Sequence, residues 1–296
     1  MAPRGSLRRI LKVISFGLAL GLLALGFGLI RAVWPSDALA TGENKAPSAF
    51  FTGLPPVLNI AHRGASSAAL EHTLEAYALA LAQGADVLEL DVHATKDGVL
   101  VVAHDADLER TVGIRAQIAE LDWQELSKLA GERAPLKLDD VLQRFPGTHF
   151  NLELKPERDD VAVALARAIH QHALADRVIV ASFHVDTLAA FRRASGGTIA
   201  TSAAMPEAVS FLLCYLMQRR CQVPFDLLQL PARFPYWLGT APFNRFVHEQ
   251  GLKVQYWTVD DPALMRTLID AGADGIMTNR PERLSSVLTS LEPRKP

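Results

Sequence analysis

From Val57 onward, short apolar runs alternate with longer segments of helical periodicity, and this alternation constrains the fold more than any other feature of the chain. Candidate strands are Val57–Ala61, Val87–Val92, Phe150–Leu154, Arg177–Ser182, Thr198–Ser202, Leu227–Leu230, Lys253–Thr258 and Gly275–Thr278, with Leu100–Ala103 as a ninth. Several are apolar on both faces, as strands buried in a parallel sheet are. The joints read as strand-to-helix units. Thr73 is placed to cap a helix from Leu74 to Gln83, with Leu74, Tyr77, Ala78 and Leu81 on one face and Gly84 as its stop. Asp261-Pro262 opens another helix, which Gly272 closes. Gly84-Ala85-Asp86 and Gly272-Ala273-Asp274 even repeat the same helix-to-strand junction. Eight such units over residues 57–290 predict an α/β fold, a (β/α)8 TIM barrel, whose usual size is about 250 residues.

The ninth strand follows the second after only Thr95-Lys96-Asp97-Gly98. A parallel crossover needs a dozen or more residues, whereas Asp-Gly marks a hairpin, so Leu100–Ala103 is expected to run back antiparallel. A two-residue turn centred on Asp97-Gly98 would set His104 opposite Asp91.

Residues two apart on a strand share a face, so Glu89 and Asp91 point one way, as do Glu153 and Lys155. Barrel chemistry sits at the C-terminal ends of strands. His62-Arg63, Glu89-Leu90-Asp91 and Glu153-Leu154-Lys155 are predicted to end three neighbouring strands and to meet, with His104, at one mouth. Clustered carboxylates repel, and the common remedies are protonation or a hard divalent cation bound through oxygen. Glu89, Asp91 and Glu153 therefore suggest a Mg2+ or Ca2+ site. That cation, with Arg63 and Lys155, would neutralise phosphoryl oxygens, and two histidines would take a proton from the nucleophile and give one to the leaving alcohol. Taken singly, a strand-end His-Arg pair or a Glu-x-Asp has an ordinary structural reading; convergence at one mouth favours the catalytic one.

The motifs follow one another as Ile60-Ala61-His62-Arg63-Gly64, Glu71-His72-Thr73, Gly84 to Val92, Thr95-Lys96-Asp97-Gly98, Val101-Val102-Ala103-His104-Asp105 and Leu108-Glu109-Arg110-Thr111. Asn151 to Lys155, Trp257-Thr258-Val259-Asp260 and Gly275 to Pro281 complete the series. In this order they resemble the glycerophosphodiester phosphodiesterase family over essentially all of residues 57–290. The resemblance implies a TIM barrel that hydrolyses glycerophosphodiesters to glycerol 3-phosphate and an alcohol. It implies Glu89, Asp91 and Glu153 as metal ligands, His62 and His104 as general base and acid in an unassigned order, and Arg63 and Lys155 as phosphate contacts. Glu71 would support the site and Trp257 would line the substrate pocket. Four positions depart from the family pattern: His72 for the usual Asn, His184 for Asp or Asn, and Asp260 and Asn279 for Asn and Asp. They bear on the substrate more than on the reaction.

The N-terminus reads differently. Arg4, Arg8, Arg9 and Lys12 precede Val13–Ile30, an apolar run whose sole polar side chain is Ser15 and which is just long enough to cross a bilayer. Residues 1–34 are expected to be an uncleaved membrane anchor with the catalytic domain on the non-cytoplasmic side, periplasmic or extracellular; cleavage after Ala38-Leu39-Ala40 is the alternative. The Pro-rich residues 35–56 read as a linker. In an exported protein Cys214 and Cys221 are free to pair, though a buried thiol and a bystander fit the sequence as well. The net charge of −2 and the lack of basic runs beyond the N-terminus argue against nucleic acid as a partner.

Ser210 to Met217 is nearly all apolar, precedes Arg219 and Arg220, and falls in a βα loop on the active-site face. It reads either as a buried helix or as a membrane-dipping segment. The second reading makes lysophospholipids candidate substrates, hydrolysed to lysophosphatidic acid as in the lysophospholipase D branch. A catalytically inactive, phospholipid-binding barrel is the competing function from another class.

Overall fold

The computed structural model describes residues 48–232 and 238–291. Ten strands form one sheet: β1 Leu58–Ala61, β2 Val87–Ala94, β3 Leu100–Val102, β4 Leu136–Lys137, β5 His149–Leu154, β6 Val178–Ala181, β7 Ala200–Thr201, β8 Leu227–Pro231, β9 Lys253–Trp257 and β10 Gly275–Thr278. Eight of them run parallel in the order β7-β6-β5-β2-β1-β10-β9-β8. A parallel bridge between Ser202 and Leu227 joins the two ends, so the sheet closes into the expected barrel. The expected membrane span, residues 13–30, lies outside the described residues. Among those described, no helix is long and apolar enough to cross a membrane.

The barrel interior changes character along its axis. At the N-terminal end Leu58, Ile60, Val87, Ile179, Ala200, Leu227 and Met277 pack around Phe50. Phe50 belongs to a short turn, Ala49–Phe51, within the stretch expected to be linker, and it is fully buried. Burying such a ring contributes roughly 1.5–3 kcal/mol. One layer up the filling turns polar: the Gln229 amide donates to Asn151 Oδ1 at 3.1 Å and to Gln255 Oε1 at 2.9 Å. The carboxylates begin at that layer, with Glu89 beside Asn151, and continue above it with Asp91 and Glu153. Apolar side chains thus close one end of the barrel and leave the chemistry to the other.

Two expectations about local structure are corrected. The helix after β1 spans Leu74–Ala82 with Thr73 as its cap, but it buries Ala76, Tyr77 and Ala80 while Leu74 is exposed. Its sequence is apolar nearly all round, so periodicity did not single out the inward face. The β2–β3 hairpin is antiparallel, as expected, but pairs Val92 with Val102 and Ala94 with Leu100. This register is one residue away from that of a two-residue turn, and it sets Ala103, not His104, against Asp91, with the Ala103 N–H donating to the Asp91 carbonyl at 3.0 Å. The loop is longer because Gly98 adopts a left-handed φ of 84°, while the Thr95 hydroxyl donates to Asp97 and accepts the Val99 N–H at 3.0 Å. A three-residue loop closed by a left-handed glycine results.

Gly64 has a φ of 82°, and a Cβ there would lie 2.8 Å from the backbone carbon and the Cβ of Ala76. The chain therefore turns from β1 into the His62-Arg63 corner with helix Leu74–Ala82 directly against it. Gly64→Ala is expected to lower stability by about 2–4 kcal/mol, the sum of left-handed strain and overpacking. Denaturant unfolding of the variant measures this; a loss under 1 kcal/mol would mean that the corner relaxes freely.

Candidate active site

The C-terminal ends of β1, β2 and β5 carry the predicted groups to one place. Parallel register sets Asp91 beside Glu153 and Glu89 beside Asn151, all facing inward. One oxygen each of Glu89, Asp91 and Glu153 lies within 4.8 Å of the others. A cavity of about 260 Å3 opens on this cluster, and His62, Arg63, His104, Glu153, Lys155 and Trp257 line it. His104 reaches the cavity because the chain leaves β3 after Val102 and bends, not because it opposes Asp91 across the hairpin.

Each carboxylate has its own environment. Burial and the neighbouring charges of Asp91 and Glu153 push the Glu89 carboxyl far above its ordinary range, although the Arg63 N–H donates to it at 2.9 Å. Burial also acts on Asp91, but its hydrogen bond from His72 and the charge of Lys155 outweigh that and hold it low. Glu153 is raised, chiefly by burial. Lys155 Nζ bridges Asp91 at 2.9 Å and Glu153 at 2.8 Å, and Arg63 Nε approaches Asp91 at 3.3 Å. The two expected phosphate contacts thus stand between the carboxylates and the cavity.

The imidazoles are held by partners that fix their tautomers. Asn279 donates its amide to Asp260 at 2.8 Å, so its Oδ1, which also receives the Ser66 hydroxyl, acts as acceptor toward His62 Nδ1 at 2.7 Å. His62 therefore carries its proton on Nδ1 and leaves a lone pair on Nε2. Burial lowers its pKa to about 4, against the opposing pull of the Asn279 hydrogen bond. His104 Nδ1 donates to Asp105 at 2.6 Å. Asp105 is in turn bound by Arg110 Nε at 2.5 Å, and Arg110 Nη2 reaches Glu71 at 2.6 Å. Glu71 meets Arg63 Nη1 at 3.4 Å, which closes a chain of charges from His104 back to Asp91.

His72, noted in the sequence only as a departure, is buried between Tyr77 and Asp91 with 2.9 Å contacts on both ring nitrogens. Ionised Asp91 accepts from Nε2–H, and the Tyr77 hydroxyl donates to Nδ1. Asn279, Asp105 and Arg110 are also supporting residues that sequence reasoning did not select. Their signal was present, since each adjoins or belongs to a quoted motif, but spacing does not say which neighbour touches which ring. Phe183, from the loop after β6, and Met205, the first residue of the helix after β7, line the cavity too.

The profile of the Glycerophosphoryl diester phosphodiesterase family matches residues 62–283. The glycerophosphodiester phosphodiesterase of Caldanaerobacter subterraneus is 31% identical over 252 residues, covering 78% of this chain and 97% of that protein. Lysophospholipase D GDPD3 of Mus musculus is 28% identical over 277 residues, 80% of this chain and 83% of its own. Among solved structures, an Oleispira antarctica phosphodiesterase in complex with sn-glycerol-3-phosphate aligns with a TM-score of 0.66 at 27% identity, over 81% of this chain and 99% of that one. Barrel and site together define a hydrolase that works at the C-terminal mouth of a (β/α)8 fold. The chain belongs to the glycerophosphoryl diester phosphodiesterase family and is a phosphoric diester hydrolase.

The neutral amide against His62 has a measurable consequence. In the exchanged pair Asp260→Asn with Asn279→Asp, a carboxylate faces Nδ1–H and favours the imidazolium. The His62 pKa, read by NMR, is expected to rise from about 4 by about 1–3 units. No rise would show that Asn279 does not set the charge state of this ring.

Proposed function

We propose that the enzyme hydrolyses glycerophosphodiesters to sn-glycerol 3-phosphate and an alcohol, with His62 as general base and His104 as general acid. The observation that carries the assignment is the His62–Asn279–Asp260 chain. It fixes the proton on Nδ1, while burial keeps the ring neutral at physiological pH, which is the state of a proton acceptor. His62 Nε2 would take a proton from the attacking water as the new P–O bond forms. Asp105 holds the other end of the His104 ring, so its Nε2 is the position from which a proton passes to the departing alkoxide as the second P–O bond breaks.

The donor set suits a hard divalent cation: three carboxylates, oxygen only, two of them fully buried, with Lys155 already drawn between Asp91 and Glu153. Glu89, Asp91 and Glu153 would hold it, and Mg2+ or Ca2+ bound there would supply Lewis-acid neutralisation of phosphoryl charge. Arg63 and Lys155 add fixed positive charge on the same side of the cavity. A second reading, release of lysophosphatidic acid from lysophospholipids, is favoured by the opposite wall. Phe183 packs edge-to-face on Trp257, and Met205, Leu230 and Pro231 continue an apolar surface. Relatives named lysophospholipase D support it. Export behind an N-terminal anchor also belongs to this proposal; that both cysteines are disulfide-bonded supports it, since such bonds persist in oxidising compartments.

Release of glycerol phosphate from glycerophosphocholine and glycerophosphoethanolamine, and of lysophosphatidic acid from lysophosphatidylcholine, is expected to stop with EDTA and to return with added Mg2+ or Ca2+. Each of His62→Ala and His104→Ala should lower kcat about 10²–10⁴-fold on these substrates. On a nitrophenyl phosphodiester, whose leaving group needs no proton, His104→Ala should recover most of its activity and His62→Ala none; the reverse pattern would exchange the two roles. Arg110→Met should lower kcat about 10–100-fold with little change in KM, through misplacement of His104, and Arg110→Lys should restore part of it. A purely structural Arg110 would lower thermal stability and leave kcat of the folded fraction intact.

A further inference from the structure

Helix Met205–Leu216 follows β7 and presents two unlike faces. Its inward face is Glu207, Phe211 and Cys214, spaced i, i+4 and i+7 and all buried. Phe211 packs on Phe225 and Phe246. Glu207 accepts from the Ala204 N–H at 2.7 Å and receives both ends of the Arg192 guanidinium, at 2.6 and 3.0 Å, which ties the helix start to the neighbouring helix Val185–Ala194. The element is therefore a clamped part of the barrel wall and not a loose flap.

Its outward face repeats the same spacing with the wrong chemistry for water. Met205, Val209, Leu212 and Leu216 stand at i, i+4, i+7 and i+11, with Leu216 63% and Met205 52% exposed. A helix on a soluble surface carries polar residues there. Solitary exposed leucines need no explanation, but an unbroken apolar stripe does. The stripe starts at the active site, because Met205 and Ala208 also line the cavity beside half-exposed Phe183. Exposed Arg219 follows three residues beyond its end, a cation that would attract anionic head groups.

We infer that this helix docks on an anionic lipid surface and passes a membrane-resident substrate, a phosphodiester bearing a hydrocarbon chain, along its stripe into the cavity. The inference rests on the second reading of the site above and adds the route by which such a substrate arrives. Continuity of the stripe with the cavity and the cation at its far end favour a lipid surface over a second copy of the chain, which would have no reason to begin inside the active site.

The test uses the full chain. Both native cysteines are disulfide-bonded, so Val209→Cys adds the one free thiol for an environment-sensitive fluorophore. With vesicles containing phosphatidylglycerol, emission is expected to shift to the blue and to be quenched by brominated acyl chains, much less with pure phosphatidylcholine. Val209→Asp combined with Leu216→Asp should lower kcat/KM at least tenfold for lysophospholipid presented in those vesicles and leave glycerophosphocholine hydrolysis unchanged, since neither residue lines the cavity. A silent label on protein that floats with the vesicles overturns the inference, as does an equal loss, or no loss, on the two substrates. A shift that appears without vesicles and grows with protein concentration assigns the face to a second copy instead. If no substrate is turned over, the family activity fails while the label still decides the docking.

Discussion

Three carboxylates drawn to within 4.8 Å of one another at the end of a closed barrel are the constraint on which the site depends. In a region so far removed from water, such charges do not stand unless positive charge or protons meet them. The fold answers from several directions. Lys155 bridges two of the carboxylates, Arg63 approaches Asp91 while its N–H binds Glu89, and His72 orients Asp91 from behind. What remains uncompensated is Glu89, whose carboxyl burial and like charge hold far above its ordinary range. A hard cation bound there would relieve that repulsion and, in the proposed mechanism, would also serve the phosphoryl group.

The supporting residues extend this arrangement outward in two chains. One runs from His62 through Asn279 to Asp260, so a neutral amide stands between the ring and the carboxylate, and burial keeps the ring uncharged. The other runs from His104 through Asp105, Arg110 and Glu71 to Arg63, so that ring sits against a carboxylate. Two imidazoles on one cavity thereby acquire opposite surroundings, the usual means of separating acid from base. The cavity is also divided into a charged wall from β1, β2 and β5 and an apolar wall at the ends of β6 to β9. In the proposed function, phosphate and hydrocarbon would be received on different sides.

How much of this was legible in the chain follows from the range of each interaction. The alternation of apolar runs and helices determined the barrel, because period-two and period-3.6 patterns are local properties. The strand-end triplets placed Glu89, Asp91, Glu153 and Lys155 together, because side-chain alternation is local too. The hairpin beyond β2 was legible as a hairpin, but its register was not. Loop length turned on one left-handed glycine and the Thr95 hydroxyl, and a one-residue slip moved His104 off the position opposite Asp91.

The sequence by itself thus determined the fold class, the cluster of three carboxylates and the two histidines that line the cavity beside it, all carried by periodicity within single elements or by ordered motifs. Only the tertiary structure decided which nitrogen of His62 bears the proton, what binds His104, and which face of helix Met205–Leu216 is left to solvent. Each of these depends on partners far apart in the chain, such as His62 with Asn279 and Glu71 with Arg110, or on which side of an almost wholly apolar helix the barrel covers. A local pattern holds no information about such partners, because they meet only when the barrel closes.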